Sequence, residues 1–442
     1  GENEVSKDQV FTFTVNNKAK TYGDADPTTF KFTVTEAKQS ITGGSTVTIP
    51  ADKFTFVRDA GEDVKTGGYD LIATIAAPYS TNYTLASADI KTGDYATKAV
   101  FTINQKNLST ATLYTIADLA NVVYNGKAQE PDLNITDKAR STKLVYDKDG
   151  KKDYTLAYTS TLTPNTDHTH VSTVTVTATG TNNYTGTTSK TFQITQATLF
   201  VTPAGKKTYD SYVGGDTDGT DGNEVEATFT YQGWVGADVA TPPTITVTSK
   251  TTYTLTDGKK DAGNYVMQVA ADNFSVAGNN YAFQPVDGVF VIEQKKLKLK
   301  ADDITNLAYG STETYTVTLT SGTYVEGDTN AIKDAVKVTK SASANEDGEW
   351  TLTPSFKTAA EIEADFAPAA DADETAITAA NAKIAAAKAV LVNYKKDKAS
   401  DFTNGTLTYA NASMQIGLKQ SELTLEKVYD GTAISLTAPT TE

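Results

Sequence analysis

The 442-residue sequence has no cysteine and only two histidines, two methionines and two tryptophans. Without cysteine the chain has no disulfide, no thiolate nucleophile and no cysteine-based metal site. Positive charge is also scarce: 39 Lys and Arg stand against 54 Asp and Glu, for a formal net charge of -15. Nucleic acid and anionic bilayers are bound through clustered Lys and Arg, so neither is an expected partner. No run of 18 apolar residues occurs, which predicts no membrane insertion by a spanning helix. No zinc helix, phosphate loop or nucleophile elbow is present either.

What the chain does contain is threonine and tyrosine, both suited to the half-exposed surface of antiparallel strands. Val174 and Val176 alternate with Thr173, Thr175 and Thr177, which predicts a strand with one dry face. Asp149-Gly150 lies between Leu144-Val145-Tyr146 and Tyr154-Thr155-Leu156-Ala157-Tyr158 and predicts a hairpin turn.

One phrase recurs along the chain, a tyrosine followed by Gly, Asp or Asn. It reads Lys20-Thr21-Tyr22-Gly23-Asp24, Val123-Tyr124-Asn125-Gly126, Lys207-Thr208-Tyr209-Asp210, Ala308-Tyr309-Gly310 and Lys427-Val428-Tyr429-Asp430-Gly431. These tyrosines are 102, 85, 100 and 120 residues apart. A landmark returning at a domain-sized interval indicates tandem modules. A second landmark, Asn-Tyr, occurs at Asn82-Tyr83, Asn183-Tyr184, Asn280-Tyr281 and Asn393-Tyr394. There Asn is expected at a left-handed turn, with Tyr capping a core while its hydroxyl stays in water.

These landmarks predict β modules at 1–105, 106–196 (Ig-like), 197–294 and 295–420, with the truncated start of a fifth at 421–442. The expected fold is all-β: small Ig-like β-sandwiches in an elongated array, with β-grasp-like modules as the alternative, since strand order is not visible. Trp234-Val235-Gly236-Ala237-Asp238 and Tyr324-Val325-Glu326-Gly327-Asp328 each follow an alternating strand and are read as counterparts. The fourth module carries an alanine-rich insertion, about 357–391, that breaks at Pro368. It predicts a short helix near Thr358–Phe366 and a longer one after an Asp371 N-cap, with Glu374 completing a capping box. Ile377, Ala380, Ile384, Ala387 and Leu391 form its apolar stripe, expected to pack on the module's own sheet.

Lys20-Thr21-Tyr22-Gly23-Asp24-Ala25-Asp26-Pro27 and Lys427-Val428-Tyr429-Asp430-Gly431-Thr432 resemble the MBG and YDG repeats of bacterial surface proteins. Tyr124-Asn125-Gly126-Lys127-Ala128-Gln129-Glu130-Pro131 with Asn183-Tyr184-Thr185-Gly186 resembles a bacterial Ig-like repeat. The resemblance implies a secreted or cell-surface location in long proteins described as adhesins. It says little of ligand, because such modules serve as spacers as often as binders.

Candidate chemistry is sparse. His168 and His170 form a His-x-His pair that a strand could aim at one metal, yet no third ligand stands nearby and an exposed hairpin end is the preferred reading. Asp216, Asp218, Asp221 and Glu224 could offer oxygens to calcium, but their spacing breaks the EF-hand rule and favours a solvated acidic loop. Trp234 and Trp350 are read as core rather than as sugar-stacking platforms. The expected function is therefore non-enzymatic and without a cofactor, calcium aside. It is that of a monomeric structural or adhesive segment, with a host glycan or protein as the alternative partner.

Overall fold

The computed structural model describes residues 10–16, 18–37, 50–78, 99–210, 225–255 and 261–410. Asn82-Tyr83, the acidic loop carrying Asp216, Asp218, Asp221 and Glu224, and the 421–442 stretch lie outside the described residues. The fold is all-β, with three α-helices among the described residues, all between 329 and 393. Two compact units are present. One comprises Gly1–Val201, Tyr231–Thr248 and Ala271–Pro285; the other comprises Thr202–Thr230, Ser249–Ala270 and Val286–Glu442.

Within each unit the same pairing order of four strands occurs twice, in the second unit once as part of a six-stranded sheet. In the first unit Ala19–Thr21 runs parallel to Ala99–Asn104, which pairs antiparallel with Tyr69–Ile75, itself antiparallel to Phe54–Arg58. Further along, Val122–Val123 runs parallel to Thr187–Thr195, followed by Ser172–Gly180 and Tyr154–Ser160. In the second unit residues 204–208 run parallel to Gly288–Glu293, followed by Gly263–Gln268 and Thr254–Leu255. Ile304–Leu307 runs parallel to Gly405–Tyr409, followed by Trp350–Phe356 and Val336–Lys340. Parallel neighbours cannot be joined by a tight turn, so each sheet closes its first strand against its last only after the intervening strands are laid down. The recurring tyrosine phrase sits where that first strand ends. The Tyr22, Tyr124 and Tyr209 amides donate to Asn104, Thr195 and Glu293 carbonyls at 2.9, 2.8 and 2.8 Å.

Alternation fills the cores as expected. Along Ser172–Gly180 the side chains of Val174, Val176 and Ala178 are buried while threonines face outward. They pack with Tyr154, Phe192 and Ile194, each aromatic or branched side chain adding roughly 1.5–3 kcal/mol by burial. The Asp149-Gly150 turn is present, with Gly150 at φ 69° and its amide bonded to the Asp147 carbonyl. The two expected segments meet across it at a single parallel bridge, Tyr146 with Tyr154, rather than as a hairpin ladder: Tyr154–Ser160 pairs with Ser172–Gly180, and Thr142–Lys143 pairs with Thr136–Asp137.

The helices α1 (Thr329–Ala335), α2 (Ala359–Phe366) and α3 (Glu374–Asn393) pack together in the second unit. The capping box belongs to α2, where Thr358 and Glu361 bond each other's backbone amides. For α3 the N-cap is Asp373, not Asp371; its carboxylate accepts from the Ala376 amide at 2.7 Å. Either aspartate can cap, and the one three residues before a free amide is used. Ala367, forced extended by Pro368, ends α2 as expected. The apolar stripe of α3 is buried only toward its C-terminus. Ala387 and Val390 enter the core beside Ile332 and Ile362, while Ile377 is exposed. By length and composition α3 is apolar enough to cross a bilayer, a property of its alanines that a search for unbroken apolar runs misses. Lys383 lies over the Phe366 ring at 4.3 Å and Lys388 pairs with Glu363, so both charges are used within the helical cluster.

Candidate functional site

The chemistry of this chain is concentrated where a recurring tyrosine meets an Asn-Tyr pair. In the first unit the Tyr124 and Tyr281 rings meet edge-on, 5.5 Å apart at 82°. Both hydroxyls donate to one oxygen, Oδ2 of Asp238, at 3.0 and 2.7 Å. The Tyr281 oxygen in turn accepts the Val235 amide at 3.1 Å. The Asn280 carboxamide accepts the Val171 amide at 3.1 Å. Gln196 Nε2 donates to the Asn279 and Tyr281 carbonyls. Gly126 lets the chain approach closely: it sits at φ 75°, and a Cβ there would lie 3.0 Å from Gly236 Cα.

The second unit repeats the arrangement with different residues. The Tyr209 and Tyr394 rings meet at 5.4 Å and 77°. Both hydroxyls donate to Asp328 Oδ2, at 3.0 and 2.7 Å, and Tyr394 accepts the Val325 amide at 3.0 Å. The Asn393 side chain accepts from the Ala262 amide at 2.7 Å and donates to Asp261 at 2.9 Å. Gln294 Nε2 reaches the Val392 carbonyl at 2.9 Å. Trp234-Asp238 and Tyr324-Asp328 are thus structural counterparts, each ending in a 3-10 turn that presents its aspartate.

A third joint, in the first unit, keeps the rings and changes the polar cap. Tyr22 and Tyr184 meet at 5.4 Å and 75°, but the group above them is Arg140. Its guanidinium lies 4.6 Å over the Tyr22 ring and donates to the Tyr184 hydroxyl at 3.3 Å. The turn carrying Arg140 is held by Asp137, whose Oδ1 accepts the Ala139 amide. Asp137 is itself in a buried ion pair with Lys106, at 2.7 Å. Asn183 again bridges, accepting the Val64 amide and donating to Asp63, while Gln105 reaches the Asn182 and Tyr184 carbonyls.

Burial governs the ionisation of these phenols. It is the largest cause pushing Tyr124 up to about 12, with the bond to Asp238 adding to it. Tyr184 also rises to about 12 by burial, against a downward pull from Arg140. Tyr281 and Tyr394 move upward for the same reasons as Tyr124.

The Asn-Tyr landmark therefore works differently from the sequence expectation. The left-handed residues are Asn182 and Asn279, one position earlier, while Asn183 and Asn280 spend their amides on a facing loop. The tyrosine hydroxyls are not in water: Tyr184, Tyr281 and Tyr394 are buried and bonded. His168 and His170 do not converge. His168 packs on Tyr158 and contacts Glu130, whereas His170 bonds Asp167 and stacks on Tyr124 at 6.1 Å beside the Asp238 joint. Among the described residues no group of three or more His, Asp and Glu could hold a metal ion. The calcium candidates lie outside the described residues. Trp234 packs edge-on to Tyr281, and Trp350 packs on Tyr409; both are half-buried.

Residues 11–91 match the family model of the MBG domain, YGX type. No curated protein matches the chain. Among solved structures, the protocadherin gammaB4 extracellular domain is 7% identical and covers 79% of this chain and 65% of its own, with a TM-score of 0.17. Domains 4–9 of the surface layer protein SbsC are 12% identical and cover 79% of this chain and 64% of their own, with a TM-score of 0.15. The chain thus spans less than two thirds of these structures' length.

Proposed function

We propose that this chain is a non-enzymatic, extracellular structural or adhesive segment of a bacterial surface protein, acting foremost as a stalk and display scaffold. In this reading it is a monomer built from Ig-like β repeats at 1–105, 106–196, 197–294 and 295–420, with a further repeat beginning at 421. The observation that carries the reading is the threefold tyrosine joint. Edge-on tyrosine rings, all buried except the half-buried Tyr22, a polar cap and bridging Asn and Gln amides recur at 22/184, 124/281 and 209/394. Among the described residues these side chains are, in this reading, spent on links between successive repeats. A link of this kind resists bending because its donors and acceptors are already paired and its rings are dry. The acidic surface opposes self-association and leaves loops free to vary. The MBG match over residues 11–91 supports a surface location.

Binding of the purified chain to arrayed mucins, host glycans and matrix proteins, with and without calcium, tests the assignment. A structural segment gives no saturable signal. A saturable, calcium-dependent signal lost on neutralising Asp216, Asp218 and Asp221 would replace the spacer reading with that of a specific adhesin.

A further inference from the structure

Tyr309 is the fourth recurring tyrosine, and in contrast to Tyr124 and Tyr209, which are 5% and 6% exposed, it is 85% exposed. Its neighbour Gly310 has φ 86°, the value of Gly23 in the first joint. A Cβ on Gly23 would meet Arg140 and one on Gly126 would meet Gly236, but one on Gly310 would meet nothing within 4 Å. The strand leading to Tyr309 is set as in the other three sheets, parallel to the last strand, Gly405–Tyr409. Tyr309 leans on Tyr409 at 6.2 Å rather than on an Asn-Tyr tyrosine. Among the described residues the left-handed glycine and the projecting ring are therefore formed without the partner that covers them elsewhere. In sequence, Gln420, outside the described residues, stands where Gln105, Gln196 and Gln294 stand before the next repeat.

We infer that the Tyr309-Gly310 face is the open half of a joint and docks one further repeat of this chain's own kind. The occupant presents a buried-type Asn-Tyr tyrosine edge-on to Tyr309. It also carries an aspartate on a 3-10 turn, as Asp238 and Asp328 do, that takes the Tyr309 hydroxyl. All three occupied joints show the edge-on tyrosine and the two aspartate-capped ones the acceptor, and tethering through the chain supplies a high effective concentration. An exposed ring beside a glycine with empty space is a patch that such a repeat would bury.

The inference rests on reading the tyrosine joints as links between repeats, and one experiment separates the two. The 442-residue chain, the natural chain of this comparison only in having no added repeat, is compared with an extended one, residues 1–420 followed directly by a second copy of 295–420. Each is nitrated with tetranitromethane and the modified tyrosines are mapped by mass spectrometry. The copy brings its own Asp328 and Tyr394, and its helices double the α-helical ellipticity when it folds. Tyr309 of the first copy is expected to react freely in the natural chain and about tenfold more slowly in the extended one, approaching Tyr124 and Tyr209. Unchanged reactivity in the extended chain, and in a second one carrying residues 197–294 instead, overturns the docking. Tyr309 already protected in the natural chain overturns it as well, because the face is then covered without a further repeat. Free reaction of Tyr124 and Tyr209 would instead remove the joint reading itself.

Discussion

Where Tyr281 donates its hydroxyl to the Asp238 carboxylate at 2.7 Å, Tyr184 accepts a bond from the Arg140 guanidinium at 3.3 Å. The rings beneath are nearly unchanged, 5.5 Å and 82° in one joint and 5.4 Å and 75° in the other. Two opposite charges thus cap one aromatic geometry. The invariant part of the joint is apolar and edge-on, and the charge above it is exchangeable as long as it satisfies the buried oxygen. The caps differ in exposure too. Arg140 is exposed, whereas Asp238 is half-buried and serves two hydroxyls. The aspartate joint should therefore depend on its cap more than the arginine joint does, while both depend alike on their rings.

Removing a ring is the largest perturbation and should not distinguish the joints. Tyr281→Ala and Tyr184→Ala each empty a buried site and should cost about 3–5 kcal/mol, read as a lower denaturant midpoint. A cost below about 1 kcal/mol at either position would show that the rings are dispensable packing.

Removing the cap should split them. Asp238→Ala leaves two phenol hydroxyls without their charged acceptor and should cost about 2–3 kcal/mol. Arg140→Ala gives up one long bond and an exposed cation–π contact, about 0.5–1 kcal/mol. Equal losses in chemical denaturation would mean that the charge sign carries no energetic difference.

Much of this was legible before any coordinates, and the rest was not for identifiable reasons. The tyrosine intervals, the Trp234–Asp238 and Tyr324–Asp328 pairing and the break at Pro368 could be read because each is a local pattern with a local cause. That Asp238 gathers two hydroxyls from tyrosines 157 residues apart could not, since convergence is a tertiary event. The loops that receive the asparagine amides, at Val64, Val171 and Ala262, have only a backbone N–H in common, joined in two of them by the carboxylate of Asp63 or Asp261, too little to mark them in sequence. Arg140 escaped for a related reason: nothing in its stretch resembles the Trp-Val-Gly-Ala-Asp of the aspartate joint. His168-x-His170 attracted a metal reading, yet its rings are taken up separately by Tyr158 and Tyr124.

A smaller effect compares an occupied joint with the open face. Gly126→Ala and Gly310→Ala both force an L residue to positive φ, costing roughly 1–2 kcal/mol. Only at Gly126 does the new Cβ also press on Gly236, so that variant should lose more stability, and Gly310→Ala should show the backbone cost alone. Identical losses would indicate that the Gly126 contact yields freely.

The smallest expected difference is alkaline. Tyr124 and Tyr184 are both raised to about 12, so in the unfolded chain they ionise first, near the ordinary tyrosine value of about 10. Their neutral forms therefore contribute stability that is whole below about pH 10 and is lost as pH rises toward 12, because the folded state binds more protons across that window. The caps then act in opposite senses: a Tyr124 phenolate is repelled by Asp238, whereas a Tyr184 phenolate is attracted by Arg140. Raising the pH in tyrosinate absorbance and exchange measurements should open the Asp238 joint before the Arg140 joint. Opening in the reverse order would mean that the cap charge does not govern how these phenols ionise.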